Sequence, residues 1–410
     1  MAHPKFIFYV ACLIALMSTV GVALPYPILA PIFVDMPASS FNHFAGLPPK
    51  LLLGLAIAIN PLGILLGSMV MGMLSDRYGR RRVLMITLSL TVLGHVAAAI
   101  ALIQGWYLLF ILARFATGLT EGNVAVLRAI VADLHPQLDR TKSFAQLNTF
   151  MYIGWLTGPL LGGFALPFGQ SVAFWLAGGV MLLCSVLLFF ALPADPRNQA
   201  QNNLATLWRM VRDDNALRML NNPAYKQVFW LQLMMTLGMN AFYEFYPLWL
   251  VEFMHFTSRH IAIVTAGMCL LMAASSSLIA QFVGKERPLT QARRWAFLIA
   301  FGLILQPWLP GWFGVAMIGA LGIPISMYNA VAPAYFSEKF GADGQGQIMG
   351  LLTTTFCLGN VIIALLGSVL TLLDTRLIIL VGGLCCMAGV WIFSRWLAGN
   401  GPLGQLALEA

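Results

Sequence analysis

Twelve apolar runs, each long enough to cross a bilayer, dominate this chain. A spanning helix needs about 20 mostly apolar residues, because hydrocarbon offers no partner to an unpaired backbone group. The runs lie near 6–34, 50–75, 83–103, 106–132, 142–167 and 171–193, then 227–252, 260–284, 292–308, 312–335, 345–370 and 375–397. No strand-like alternation of the kind a lipid-facing barrel requires accompanies them, so the chain reads as all-helical. Composition agrees: only 9% of the 410 residues are charged and 60% are apolar, against about 25% charged in soluble domains. A water-soluble globule, a disordered chain, a fibrous repeat and a secreted disulfide scaffold are all excluded on that ground. The first run is too long for a signal-peptide core and no small-residue cleavage pattern follows it, so it is expected to stay as helix 1.

The longest polar stretch, about 194–226, separates spans 6 and 7. It suggests an N-terminal six-helix half over 1–198, a cytoplasmic linker over 199–226 and a C-terminal six-helix half over 227–410. Placing both termini inside puts eighteen of the 23 Lys and Arg in cytoplasmic segments and three (Lys50, Arg259 and Arg376) on the other side. Arg114 and Arg128 remain within a span. So strong an asymmetry predicts a multi-pass protein of the cytoplasmic (inner) membrane with cytoplasmic termini. It also accounts for the net charge of +8 as a topology signal, with no nucleic-acid partner implied. All six cysteines fall inside spans without ligand-type spacing and read as small apolar residues, and no metal site is expected.

A shift of 205 residues overlays Gly79, Arg80 and Arg82 on Gly284, Lys285 and Arg287, and Gly154 and Gly162 on Gly359 and Gly367. Parallel six-helix repeats of this kind build transporters whose site lies near mid-membrane. Three local motifs stand out. The first runs from Gly72 through Asp76, Arg77, Gly79, Arg80 and Arg81 to Arg82, a tight turn of four arginines beside one carboxylate. A positive-inside anchor explains the arginines but neither Asp76 at the helix end nor the two glycines. The second is Arg114-Phe-Ala-Thr-Gly118 in span 4. The third contains Gly154, Gly158, Pro159, Gly162 and Gly163 in span 5; glycines every four residues make a smooth strip for close helix packing, and the proline favours a kink.

Together these resemble the major facilitator superfamily: its loop 2–3 signature, its helix-4 signature and the helix-5 signature of its drug/proton antiporter branch. The resemblance covers nearly the whole chain and is closest in character to twelve-helix tetracycline-type exporters. It implies two pseudo-symmetric six-helix halves, with helices 1, 4, 7 and 10 lining a cavity. It further implies a cytoplasmic latch in which Asp76 pairs with Arg80 near the start of helix 11, with Asp133 as third member. The helix-5 strip would lie against helix 8 and limit leak. One departure matters: tetracycline antiporters carry an acid three residues before the glycine matching Gly21, and here that residue is Ser18. Metal–tetracycline chemistry is therefore not carried over.

Ionisable groups inside a span are costly and mark pathways or partners. Arg114, Glu121 and Arg128 recur every seven residues, a stripe with steps of about 10 Å. Two readings are open: Glu121 couples protons or substrate, or it is braced by Arg114 or Arg128. Glu244 in span 7 sits among Asn240, Tyr243, Tyr246 and Trp249. It reads either as a site for an amphipathic cation or as a snorkelling residue of an interfacial aromatic belt. Ser18, Tyr26, Asn60, Asn148, Tyr152, Asn240, Tyr243, Asn329 and Asn360 could line a cavity, and His95 reads as solitary in a peripheral helix. The expectation is a secondary active transporter, not an enzyme, exporting a small amphipathic compound (drug, siderophore or metabolite). It would use the proton gradient and no cofactor, and function as a monomer in the lipid bilayer; a metabolite importer or facilitator of the same fold is the alternative. No P-loop for ATP and no intramembrane nucleophile or H-E-x-x-H pattern is present.

Overall fold

The computed structural model describes residues 4–121, 123–134, 137–138, 140–192, 223–282, 288–340 and 345–397. Each of the twelve apolar runs falls on helix. In chain order these are α1 (Pro4–Ala23), α2 (Pro49–Tyr78), α3 (Arg80–Gln104), α4 in two segments (Tyr107–Glu121 and Val124–Asp133), α5 (Arg140–Ala165) and α6 (Val172–Ala191). Then follow α7 (Pro223–Met254), α8 (Ser258–Phe282), α9 (Pro288–Leu305), α10 (Gly311–Phe340), α11 (Gln345–Leu370) and α12 (Thr375–Leu397). Among the described residues, nine helical stretches are long and apolar enough to cross a membrane by length and composition. Most of the expected linker, residues 199–222, lies outside the described residues.

The chain divides into two compact units, Met1–Asp213 with Thr257–Ala262, and Asp214–Phe256 with Ile263–Ala410. In the first, α1 packs on α5 and α6, α2 on α4, and α3 on α4 and α6. In the second, α7 packs on α11 and α12, and α9 on α10 and α12. The second set repeats the first six helices later, as the 205-residue shift anticipates. Particular glycines carry the repeat. A Cβ at Gly154 would meet Leu16 and Thr19 of α1, and one at Gly359 would meet Thr236 and Asn240 of α7. Gly178 faces His95 and Val92 of α3, and Gly383 faces Ile304 and Ala300 of α9.

Between α2 and α3 the chain reverses through one residue. Gly79 has φ +96° and donates its N–H to the Ser75 carbonyl at 3.1 Å. An L side chain at that φ is strained, so only glycine makes the turn cheaply.

Candidate functional site

Among the described residues two carboxylates are buried, Glu121 in the first unit and Glu244 in the second, and each organises its own cluster. In the first unit the geometry starts from glycines. A Cβ at Gly63 would stand 2.6 Å from the Phe115 carbonyl, and one at Gly67 or Gly118 would strike the backbone of Leu119 or Asn60. Bare backbone on both sides lets α2 and α4 cross at near-contact distance. That crossing delivers Asn60, which donates from Nδ2 to Glu121 Oε2 at 2.8 Å. The same nitrogen lies 3.3 Å from the Arg114 carbonyl and 3.4 Å from Thr117 Oγ1.

The other carboxylate oxygen faces α3. His95 Nε2 stands 3.4 Å from Glu121 Oε1, an ion-pair separation without the direction of a good hydrogen bond, and both side chains are buried. His95 fits there because its neighbours are small: a Cβ at Gly21 of α1 would stand 3.7 Å from Nε2, and one at Gly178 of α6 would stand 3.5 Å from the His95 Cβ. The Phe174 ring closes the pocket at 6.4 Å between centroids. His95 is therefore not solitary. Spacing along α3 could not reveal this, but the repeat carries a signal: the 205-residue shift maps His95 to Ala300 and Glu121 to Ser326, so a polar pair stands in one unit where the other has small residues.

Glu121 is also the last residue of the first α4 segment. The expected stripe with Arg128 is interrupted, because Asn123 stands in a turn between the two described stretches of α4, and half-buried Arg128 lies on the second. A carboxylate inside a span needs donors and opposite charge; Asn60 supplies a donor to Glu121 and Arg114 the charge. Arg114 is 1% exposed and acts on Glu121 and Tyr26 through space, while its Nε and Nη1 atoms are buried without a hydrogen-bond partner. The Tyr26 ring lies 6.0 Å from Trp155, and Ser18 is buried with its hydroxyl unpartnered. The side chains of Asn148 and Tyr152 lie outside the described residues.

In the second unit Glu244 is 5% exposed, and both of its oxygens are buried without a hydrogen-bond partner among the described residues. It does not snorkel. Asn240, one turn earlier on the same face of α7, is buried with its amide nitrogen also unpartnered, beside Gly359 of α11. Aromatic groups cluster on this helix: the Phe242 and Tyr246 rings are 5.3 Å apart, and the Tyr246 hydroxyl pairs with Thr265 Oγ1 at 2.6 Å. The Tyr243 hydroxyl reaches the Met272 sulfur at 3.8 Å. Asn329 of α10 is half-buried, and Asn360 is bonded within its own helix to the Phe356 carbonyl.

At the α2–α3 turn, Arg80 donates from Nε to Asp133 Oδ2 at 3.1 Å and from Nη1 to Ser75 Oγ at 2.6 Å. Asp133 is 59% exposed, so this pair contributes at most about 1 kcal/mol to stability. Arg81 does not join it; it turns to α6, donating to the Phe189 carbonyl at 2.7 Å with its guanidinium 5.1 Å from that ring. Gly72 lies within α2, and the side chains of Asp76 and Arg77 lie outside the described residues.

The helix-5 strip is divided. A Cβ at Gly158 would stand 2.7 Å from Ala23 Cβ and 2.9 Å from the Val20 carbonyl, so Gly154 and Gly158 face α1 rather than α8. Gly163 alone meets Ser258 and Ala262, residues that open α8 but group with the first unit. Gly162 is buried, and Pro159 lies within the helix. The reason is angular: a four-residue repeat follows one face, whereas five residues from 158 to 163 turn to another. Gly158→Val should lower stability by about 1–3 kcal/mol, since backbone as well as side chain must yield. Thermal unfolding in detergent measures this, and an unchanged midpoint would mean α1 and α5 do not approach so closely.

Two units of six helices, buried carboxylates and no described group of metal ligands describe a multi-pass membrane protein organised around intramembrane charge. The chain belongs to the Major Facilitator Superfamily, whose model matches residues 6–363. It is a transporter of a small molecule and not an enzyme. The chain is similar to quinolone resistance protein NorA of Staphylococcus aureus (strain MSSA476), 24% identical over 322 residues, 78% of this chain and 80% of that one. It is also similar to multidrug resistance protein 2 of Bacillus subtilis (strain 168), 22% identical over 400 residues and 96% of both chains. Its fold matches the crystal structure of a D-xylose-proton symporter with TM-score 0.75 at 18% identity, covering 95% of this chain and 97% of that one.

Proposed function

We propose that this protein is a proton-coupled exporter of amphipathic organic cations, working by alternating access, with Glu244 as the group that proton and substrate share. One observation carries this reading: Glu244 is buried with both oxygens unpartnered. An isolated buried carboxylate costs several kcal/mol unless something neutralises it. A proton does so, and so does an organic cation held against aromatic rings; because each removes the need for the other, the two exchange. Glu121, by contrast, is held by Asn60 and His95 and serves as the brace of the first unit. The drug-resistance names of two relatives support export and a drug-like substrate. The Lys and Arg asymmetry supports placement in the cytoplasmic membrane with both termini inside. The energy source is the proton gradient, without a bound cofactor, and the two halves joined by residues 199–226 act within a monomer.

The test is proton movement in proteoliposomes bearing an imposed pH gradient, read with a fluorescent dye. Lipophilic cations should collapse the gradient in the wild type and not in Glu244→Gln. Collapse that survives this change but is lost in Glu121→Gln would move the exchange to the first unit. Equilibration of a labelled solute without any collapse would replace the exporter with a facilitator.

A further inference from the structure

At one end of the second unit, α9 and α12 leave a cleft of about 500 Å³ lined by Arg293, Arg294, Phe297, Leu298, Val390 and Ser394. The start of α9 meets the end of α12, so the helices run antiparallel and the lining falls into two tiers. Arg293, Arg294 and Ser394 form a polar rim. Phe297, Leu298 and Val390 lie one turn further in, about 6 Å along the helices. The neighbouring Trp391 is exposed, and Arg395 sits 4.0 Å over its ring. A tryptophan and cations at one level mark the membrane–water interface. From the inner tier an apolar track continues outward, with the exposed rings of Phe297 and Phe301 stacked at 6.3 Å.

We propose that this cleft binds an anionic phospholipid with a hydroxylated headgroup, of the phosphatidylglycerol type. A guanidinium fork matches phosphate oxygens bidentately, and Arg293 and Arg294, which both line this cleft, bring positive charge for one phosphodiester. The Ser394 hydroxyl already donates to the Val390 carbonyl at 2.9 Å, so its free lone pairs accept a hydrogen bond, which a headgroup hydroxyl supplies. The first acyl carbons then cover Phe297, Leu298 and Val390. A free phosphate meets the arginines and leaves the apolar tier bare, whereas a zwitterionic lipid covers the tier and brings a cation to two arginines. The lipid that is both anionic and acylated fits both tiers.

The test uses the full-length protein, stripped of lipid in detergent. Native mass spectrometry and thermal shift would be read against dioleoyl phosphatidylglycerol, dioleoyl phosphatidylcholine, glycerol 3-phosphate and inorganic phosphate. Phosphatidylglycerol should bind and raise the unfolding temperature. Arg293→Gln/Arg294→Gln should weaken it roughly tenfold or more at low salt, while Arg209→Gln/Arg212→Gln, with the same loss of charge elsewhere in the sequence, should not. Equal binding of phosphatidylcholine, equal weakening by the control pair, or matching affinity for glycerol 3-phosphate would each overturn the proposal. If the double variant does not fold, Arg293→Gln alone is measured on the same panel. No readout depends on transport, so the result stands apart from that of the proton experiment.

Discussion

Glu244→Met should raise the unfolding temperature of this protein while reducing substrate-driven proton flux to the protein-free background. The two effects have one cause. Both carboxylate oxygens are buried without a partner, so the side chain is a cost to the folded state whether it is charged or protonated. Replacing it with an apolar residue of similar length removes that cost and fills the same space, a gain of about 1–3 kcal/mol. Glu244→Gln should fall between, since an amide is less costly to bury than a charge but still lacks partners. Thermal unfolding in detergent and dye-monitored flux in proteoliposomes measure the two arms. A methionine variant less stable than the wild type would show that the carboxylate has a partner that stabilises it.

The other acid should behave in the opposite sense. Glu121→Leu is expected to lower stability by about 3–5 kcal/mol, because it strips a buried network of its acceptor. Asn60 Nδ2 loses its 2.8 Å partner, His95 the carboxylate oxygen 3.4 Å from its Nε2, and Arg114 the carboxylate that balances it through space. Glu121→Gln keeps an oxygen for Asn60 and should cost less, about 1 kcal/mol for one weakened hydrogen bond with a charge removed. The predicted order of stability is therefore wild type, then Gln, then Leu, read from thermal unfolding. A leucine variant as stable as the wild type would mean the cluster is held together by α2–α4 packing alone. Two substitutions of the same residue type, on helices of one protein, thus shift stability in opposite directions.

Much of the fold was legible in the sequence because hydrocarbon leaves a chain few options. Every apolar run became helix, and the 205-residue shift anticipated which helices pack together. The helix-5 motif pointed to Gly154 and Gly158 and the charge stripe in span 4 to Glu121, all of which occupy tightly built positions. What escaped has a common physical origin. Hydropathy averages over a window, so it reads 106–132 as one span and passes over the turn at Asn123. Periodicity describes one helix at a time, so it cannot place His95 of α3 against a carboxylate of α4. Nor can charge type alone tell that Arg80 turns to Asp133 while the adjacent Arg81 turns to Phe189. Those outcomes depend on which faces meet, and small residues such as Gly21 and Gly178 decide that by yielding room.

The cysteines have a practical consequence. All six thiols are free; five are buried, with exposures from 0% at Cys12 to 8% at Cys269, and Cys385 is half-buried. A maleimide added to the folded protein meets little native background, because it must reach a thiolate that water does not reach. Introduced cysteines at Phe168 and Leu373, which are 82% and 80% exposed and belong to different units, can then carry a donor and an acceptor dye in the otherwise native chain. Energy transfer between them would test the proposed alternating access molecule by molecule, without first building a cysteine-free background whose small core residues would have to be replaced.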